Sequence, residues 1–318
     1  MSSVLVTRKL PSSVLSKLHA AAAVDLYAGD AAIPADELRA RVADKDALVC
    51  LLTDPIDRAV LDAAPRLKVV ANVAIGCNNI DVAYAKSRGI HVTNTPEVLT
   101  ESVADFTWAL ILAVTRRLSE GERLLRRGEW KGWALDFMLG SELRGKQLGI
   151  VGLGRIGRAV AARAPTFGMR VAYTSRGAGT GSSPAVPGLD PMSLDRLLLT
   201  SDVVSLHVPL TPATRHLIDK RALTRMKRSA YLINTARGPV VDEEALAWAL
   251  QQHLLAGAAL DVYENEPAIH PDLPRLENVL LVPHLASGTT ETRTAMAALA
   301  IENVLAVLAG RSPLTPVT

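Results

Sequence analysis

A glycine cluster, V-G-L-G-R-I-G at 151–157, closes an apolar run, K-Q-L-G-I-V-G (146–152), and opens a stretch of helical period, R-I-G-R-A-V-A-A-R-A (155–164). A second apolar run, R-V-A-Y-T (170–174), follows it. Strand, glycine turn, helix and strand in that order make a βαβ unit, and the glycine spacing suits a dinucleotide. Gly152 permits the tight turn, Gly154 lets backbone approach a pyrophosphate, and Gly157 lets the helix pack on the strand. Amides and dipole at the helix start favour the phosphate charge.

The rest of the chain repeats the alternation. V-L-V-T (4–7), A-L-V-C-L-L (47–52), L-K-V-V-A-N-V (67–73) and I-H-V-T-N (90–94) read as strands, with helical stretches at 57–64 and 82–88 between them. Beyond residue 100 the spacing predicts six strands, at 146–152, 170–174, 202–207, 231–235, 257–263 and 279–283. Continuous apolar strands separated by helices mean parallel sheets covered on both faces. A long helix is expected to open within 95–106, with Pro96 near its start, and a final helix to span 289–308 and pack back on the first domain. The Gly/Ser/Pro stretch 177–188 lacks a P-loop lysine spacing and reads as a surface loop.

At 318 residues and 49% hydrophobic content, the chain suits two domains with substantial cores. Net charge is only +3, and the basic stretch 116–129 interleaves acids at helical spacing, which argues against a nucleic-acid footprint. Cys50 and Cys77 form no C-x-x-C pair and read as free thiols in a reducing compartment. No uncharged apolar stretch approaches the ~20 residues that span a bilayer, and the amino terminus has too short an apolar run for a signal peptide. A cytoplasmic protein without membrane or metal is expected.

Three more motifs fall at predicted strand ends: N-T-A-R-G-P-V-V-D (234–242), D-V-Y-E-N-E-P (261–267) and V-P-H-L-A-S-G (282–288). With the glycine cluster they resemble the D-isomer-specific 2-hydroxyacid dehydrogenases. N-V-A-I-G-C-N-N-I-D (72–81) is most similar to the glyoxylate/hydroxypyruvate reductase branch. The resemblance covers essentially the whole chain. It implies a doubly wound, Rossmann-type cofactor domain (99–287) inserted into a flavodoxin-like substrate domain (1–98, with 288–318 returning to it).

The resemblance further implies a catalytic set. Arg237 would pair the carboxylate of a 2-oxo acid and polarise its carbonyl. His284 would protonate the carbonyl oxygen, and Glu266 would hold the imidazole and favour its charged form. His207, which also ends a strand, is the rival acid; Glu264 is the local rival of Glu266. Leu52, Thr53, Ile75 and Gly76 would border the substrate, the last two through backbone N–H groups.

Cofactor contacts would come from Gly152, Gly154, Arg155, Ile156 and Gly157, and from His207, Val208 and Pro209 beside adenosine. Thr235, Ala236, Arg237, Asp261, His284 and Ala286 would line the nicotinamide pocket. Trp133 and Phe137 would either reach a partner subunit's active site or pack at a homodimer interface.

An acid usually ends the second cofactor-domain strand and grips the adenine ribose. Ser175 and Arg176 stand there instead, Arg176 being 19 residues after Gly157. A hydroxyl and a guanidinium suit a 2′-phosphate, so NADPH is expected over NADH. The expected activity is reduction of glyoxylate and hydroxypyruvate to glycolate and D-glycerate. The alternatives are a D-2-hydroxyacid dehydrogenase for a bulkier substrate, or a cofactor-sensing, corepressor-like binding protein.

Overall fold

A computed structural model describes residues 1–176 and 186–317. Most of the expected loop at 177–188 therefore lies outside the described residues. The chain divides into two compact units, Met1–Leu99 with Thr289–Thr318, and Thr100–Gly288.

Unit 1 is built on a parallel sheet of β1 (Ser3–Val6), β2 (Ala23–Leu26), β3 (Ala47–Cys50), β4 (Val69–Asn72) and β5 (His91–Thr93). Its order is β2-β1-β3-β4-β5. Alternate residues serve opposite faces. Leu5, Leu48 and Val70 pack with Leu38 and Ile56, while Val4, Val6, Val49 and Val69 pack with Ala297, Ile301 and Val304 of the helix Thr290–Leu308. β2 was not expected from the sequence. It is an edge strand paired only with β1, and it emerges from the alanine run at 20–23, which has no strand signature.

Among its described residues unit 2 carries seven parallel strands: β6 (Gln147–Val151), β7 (Arg170–Thr174), β8 (Asp190–Pro191), β9 (Val203–Leu206), β10 (Tyr231–Asn234), β11 (Gly257–Leu260) and β12 (Val279–Leu281). Their order is β12-β11-β10-β9-β6-β7-β8, which reverses direction between β6 and β9. In such sheets ligands bind beyond the carboxyl ends of the strands at that reversal. The expectation of six strands is corrected to seven. β8 is two residues long at an edge, too short to leave a periodic signal. Both units are parallel α/β sheets, the fold class the alternation implied.

The long helix starts at Thr100, not within 95–99: Glu97 takes φ 72°, a left-handed conformation that a helix cannot continue through. The mixed-charge stretch contains the helix Leu118–Arg126, none of whose residues is buried. Among the described residues no helix is long and apolar enough to cross a membrane, and no cluster of His, Cys, Asp or Glu is placed to hold a metal ion.

Candidate active site

The glycine turn sits at the β6 end of the reversal. Gly152 has φ 97°, and a Cβ there would collide with the backbone of His207, which crosses it from the end of β9. A Cβ on Gly157 would overlap the Gly152 carbonyl, so helix and turn touch only because Gly157 lacks a side chain. Gly154 differs: space is open where its Cβ would be, and it caps the helix Arg155–Arg163 without a side-chain hydrogen bond. By contrast, Asp57, Asp81, Asp219 and Asp242 each cap their helices with a carboxylate. An uncapped amino terminus behind an open glycine fits a pyrophosphate. Arg155 and Ile156 form the first residues of that helix.

Ser175 and Arg176 follow directly on β7, Ser175 half-buried and Arg176 exposed. Val208 and Pro209 continue from β9, with Val208 packed against the unit's core. His207 Nε2 lies 2.8 Å from Ser205 Oγ. Burial among protein atoms depresses its ionisation to about 3, so this ring is neutral and tied inward, although the residue keeps some exposed surface.

Three loops at the ends of β10, β11 and β12 carry the residues of the expected catalytic set. Gly238 lets the first two meet, since a Cβ there would overlap the Tyr263 carbonyl. Asn234, almost fully buried, folds its carboxamide over the first loop. Its Oδ1 accepts from Ala236 N–H at 3.0 Å, and its Nδ2 donates to the Arg237 carbonyl at 3.0 Å. Thr235 is fixed from behind by the hydroxyl of Thr107, 3.0 Å away. The Arg237 side chain, with Nη1 donating to the Ala236 carbonyl at 2.6 Å, is half-buried.

Glu266 is the partner of His284: Oε2 lies 2.9 Å from Nδ1, while Oε1 accepts the Tyr263 N–H at 3.0 Å. Glu264, its rival, is engaged elsewhere, accepting from His216 at 2.6 Å and Arg215 at 3.3 Å. Burial alone would push the Glu266 carboxyl up. The His284 hydrogen bond, the Tyr263 N–H and the nearby charges of His284 and Arg237 outweigh it, so the group ionises below its ordinary value.

His284 itself has φ 51°, a conformation a non-glycine residue holds only when its surroundings enforce it. Asp261 enforces it. Fully buried, its carboxylate accepts the N–H groups of Leu285 at 2.5 Å and Ala286 at 2.9 Å, and its carbonyl accepts that of His284 at 2.9 Å. Burial still raises the Asp261 carboxyl above its ordinary value, despite those two donors.

Leu52, Thr53, Ile75 and Gly76 lie in unit 1, in the loops after β3 and β4. Trp133 and Phe137 lie in an irregular segment of unit 2, Trp133 being 80% exposed. The sequence reading passed over Asn72, Asn94, Thr107 and Asn234, which shape the loops but carry no charge. The one signal of Asn72 and Asn234 was an amide ending a run of apolar strand residues, in V-V-A-N and Y-L-I-N.

Residues 108–286 match the family model of the D-isomer specific 2-hydroxyacid dehydrogenase NAD-binding domain. The glyoxylate reductase of Thermofilum pendens is 49% identical over 314 residues, 98% of this chain and 92% of that protein. A crystal structure of a Thermus thermophilus protein superposes with a TM-score of 0.93 at 46% identity, covering 99% of this chain and all of that one. The NADPH-dependent glyoxylate/hydroxypyruvate reductase of Sinorhizobium meliloti, solved with NADP and malonate, gives a TM-score of 0.87 at 36% identity, covering 100% and 97% of the two chains. A dinucleotide turn beside an arginine and a carboxylate-bound histidine defines a nicotinamide-dependent oxidoreductase. The chain belongs to the D-isomer specific 2-hydroxyacid dehydrogenase family, in its glyoxylate/hydroxypyruvate reductase branch.

Proposed function

We propose that this protein is an NADPH-linked reductase of small 2-oxo acids, with glyoxylate and hydroxypyruvate first, giving glycolate and D-glycerate. The observation that carries the reading is the 2.9 Å pair of His284 and Glu266, on the same strand-end rim as Arg237 and the glycine turn. The names of the relatives above support the substrate class.

When bound, the nicotinamide supplies a hydride to the carbonyl carbon. Arg237 pairs the substrate carboxylate and draws charge toward the carbonyl oxygen. Because His284 Nδ1 faces Glu266, its Nε2 delivers the proton to that oxygen, and Glu266 stabilises the imidazolium beforehand. Ile75 and Gly76 offer backbone N–H groups to the carboxylate. Ser175 and Arg176 receive the 2′-phosphate; the NADP complex of the Sinorhizobium meliloti relative supports this choice.

The protein works as a homodimer in this reading. Supporting it, Leu118 and Leu125 of the helix without buried residues, and Trp130, Trp133, Leu135 and Leu139 beyond it, are all more than half exposed in the single chain. Cys50 and Cys77 form no disulfide among the described residues, which suits a cytoplasmic location.

The test is a steady-state panel of 2-oxo acids with NADPH. Glyoxylate and hydroxypyruvate should be reduced faster than pyruvate. A preference for pyruvate or a branched 2-oxo acid would overturn the substrate assignment.

A further inference from the structure

The loop after β4 is held in an unusual way. Three successive carbonyls in it are each taken by a donor that lies outside residues 74–76. Ala74 O accepts the Thr95 N–H at 2.9 Å, Ile75 O accepts Asn94 Nδ2 at 2.8 Å, and Gly76 O accepts Asn72 Nδ2 at 2.8 Å. In a planar trans peptide the carbonyl and the next residue's N–H point opposite ways. Fixing the Ala74 and Ile75 carbonyls toward the Asn94–Thr95 segment therefore turns the N–H groups of Ile75 and Gly76 away from it. Neither of those N–H groups makes a hydrogen bond among the described residues. Adjacent backbone N–H groups left pointing the same way form a site for an anion.

The clamps are themselves clamped. Asn72 is fully buried, and its Oδ1 sits 3.6 Å from the Cys50 thiol, whose burial keeps it protonated and able to donate. Its Nδ2 also reaches Asn79 Oδ1 at 3.2 Å, and Asn79 Nδ2 donates at 3.0 Å to both Leu51 O and Asp54 O. Asn94 is braced by the returning carboxyl-terminal segment. Thr315 Oγ1 donates to its carbonyl at 2.6 Å, and Thr315 is bonded in turn to Asn303 on the helix Thr290–Leu308. An amide network of this kind specifies one geometry for the loop.

We propose that Asn94 and Asn72 are positioning residues that aim the Ile75 and Gly76 N–H groups at the carboxylate of the 2-oxo acid, a proposal that rests on the function put forward above. They act through the loop and touch no reacting atom. A carboxylate is present in substrate and transition state alike, so loss of its alignment weakens binding without slowing the chemical step.

The experiment compares Asn94→Ala and Asn72→Ala with the wild type in NADPH-dependent reduction of glyoxylate. It adds calorimetric binding of oxamate, an unreactive carboxylate, to the enzyme–NADPH complex. Asn94 is half-buried, so its variant keeps the test decisive if Asn72→Ala does not fold. KM for glyoxylate and the Kd of oxamate should both rise about tenfold in Asn94→Ala. Its kcat, its KM for NADPH and its Tm should stay near wild type. An unchanged KM and oxamate Kd, or a fall in kcat and Tm at constant KM, would overturn the positioning role while the functional reading stands. A wild type that oxidises NADPH with no 2-oxo acid would overturn both.

Discussion

Asn72 closes β4 in unit 1 and Asn234 closes β10 in unit 2, and each folds its carboxamide over the loop that follows. Asn72 donates to the carbonyl four residues on, and Asn234 to the carbonyl three residues on. Both are buried at the carboxyl end of a parallel strand. Asn234 supports a loop that projects the Arg237 guanidinium beside the Glu266–His284 pair. Asn72 supports a loop that offers backbone N–H groups. If the proposed function holds, the same scaffold serves chemistry in one unit and recognition in the other, and substitutions should divide accordingly: unit 2 in kcat, unit 1 in KM.

The strongest test of that division is His284→Ala, which should lose about 10²–10⁴ in kcat, the usual worth of a general acid, with NADPH binding near normal. His207→Ala should cost far less, because its ring is neutral, tied to Ser205 and beside the glycine turn. Reversed losses would move the acid to β9. Next comes Arg237→Met, which removes both the carboxylate pairing and the charge drawn toward the carbonyl oxygen in the proposed mechanism, and should cost about a hundredfold in kcat/KM for glyoxylate, part of it in kcat. A loss confined to KM would make Arg237 resemble the unit 1 loop and break the contrast.

Arg176→Ala probes the opposite end of unit 2. It should raise KM for NADPH about ten- to hundredfold, leave NADH nearly untouched, and weaken the salt dependence of NADPH binding. Equal catalytic efficiency of the wild type with both cofactors would show that this strand end ignores the phosphate.

The smallest effect concerns pH. Glu266→Gln removes the carboxylate bonded to His284 Nδ1 and should change the pH profile of reduction. The same pairing lowers the Glu266 ionisation, so the stability it contributes is complete above the ordinary carboxylate value and fades as pH falls through the depressed one. A pH profile unchanged by Glu266→Gln would detach the carboxylate from the mechanism.

How much of this was legible beforehand follows from which residues announce themselves. V-G-L-G-R-I-G declared its turn because glycine alone fits there, and Arg237, Glu266 and His284 came from the family resemblance carried by the motifs at the strand ends. The resemblance favoured Glu266 over Glu264 without a physical reason for the choice. Only the folded loop shows that Glu264 is taken by His216 and Arg215. Edge strands β2 and β8 were illegible because one emerges from an alanine run without a strand signature and the other spans two residues. The asparagine clamps were missed because their value lies in which carbonyl they reach, a property of tertiary geometry that no spacing encodes.

One measurement reaches the central claim directly: reduction of hydroxypyruvate by NADPH, with cofactor consumption counted against glycerate resolved by enantiomer. A D-specific site of the kind described here gives equal amounts of NADPH consumed and D-glycerate formed. Formation of L-glycerate, or no oxidation of NADPH by hydroxypyruvate or glyoxylate, would contradict it.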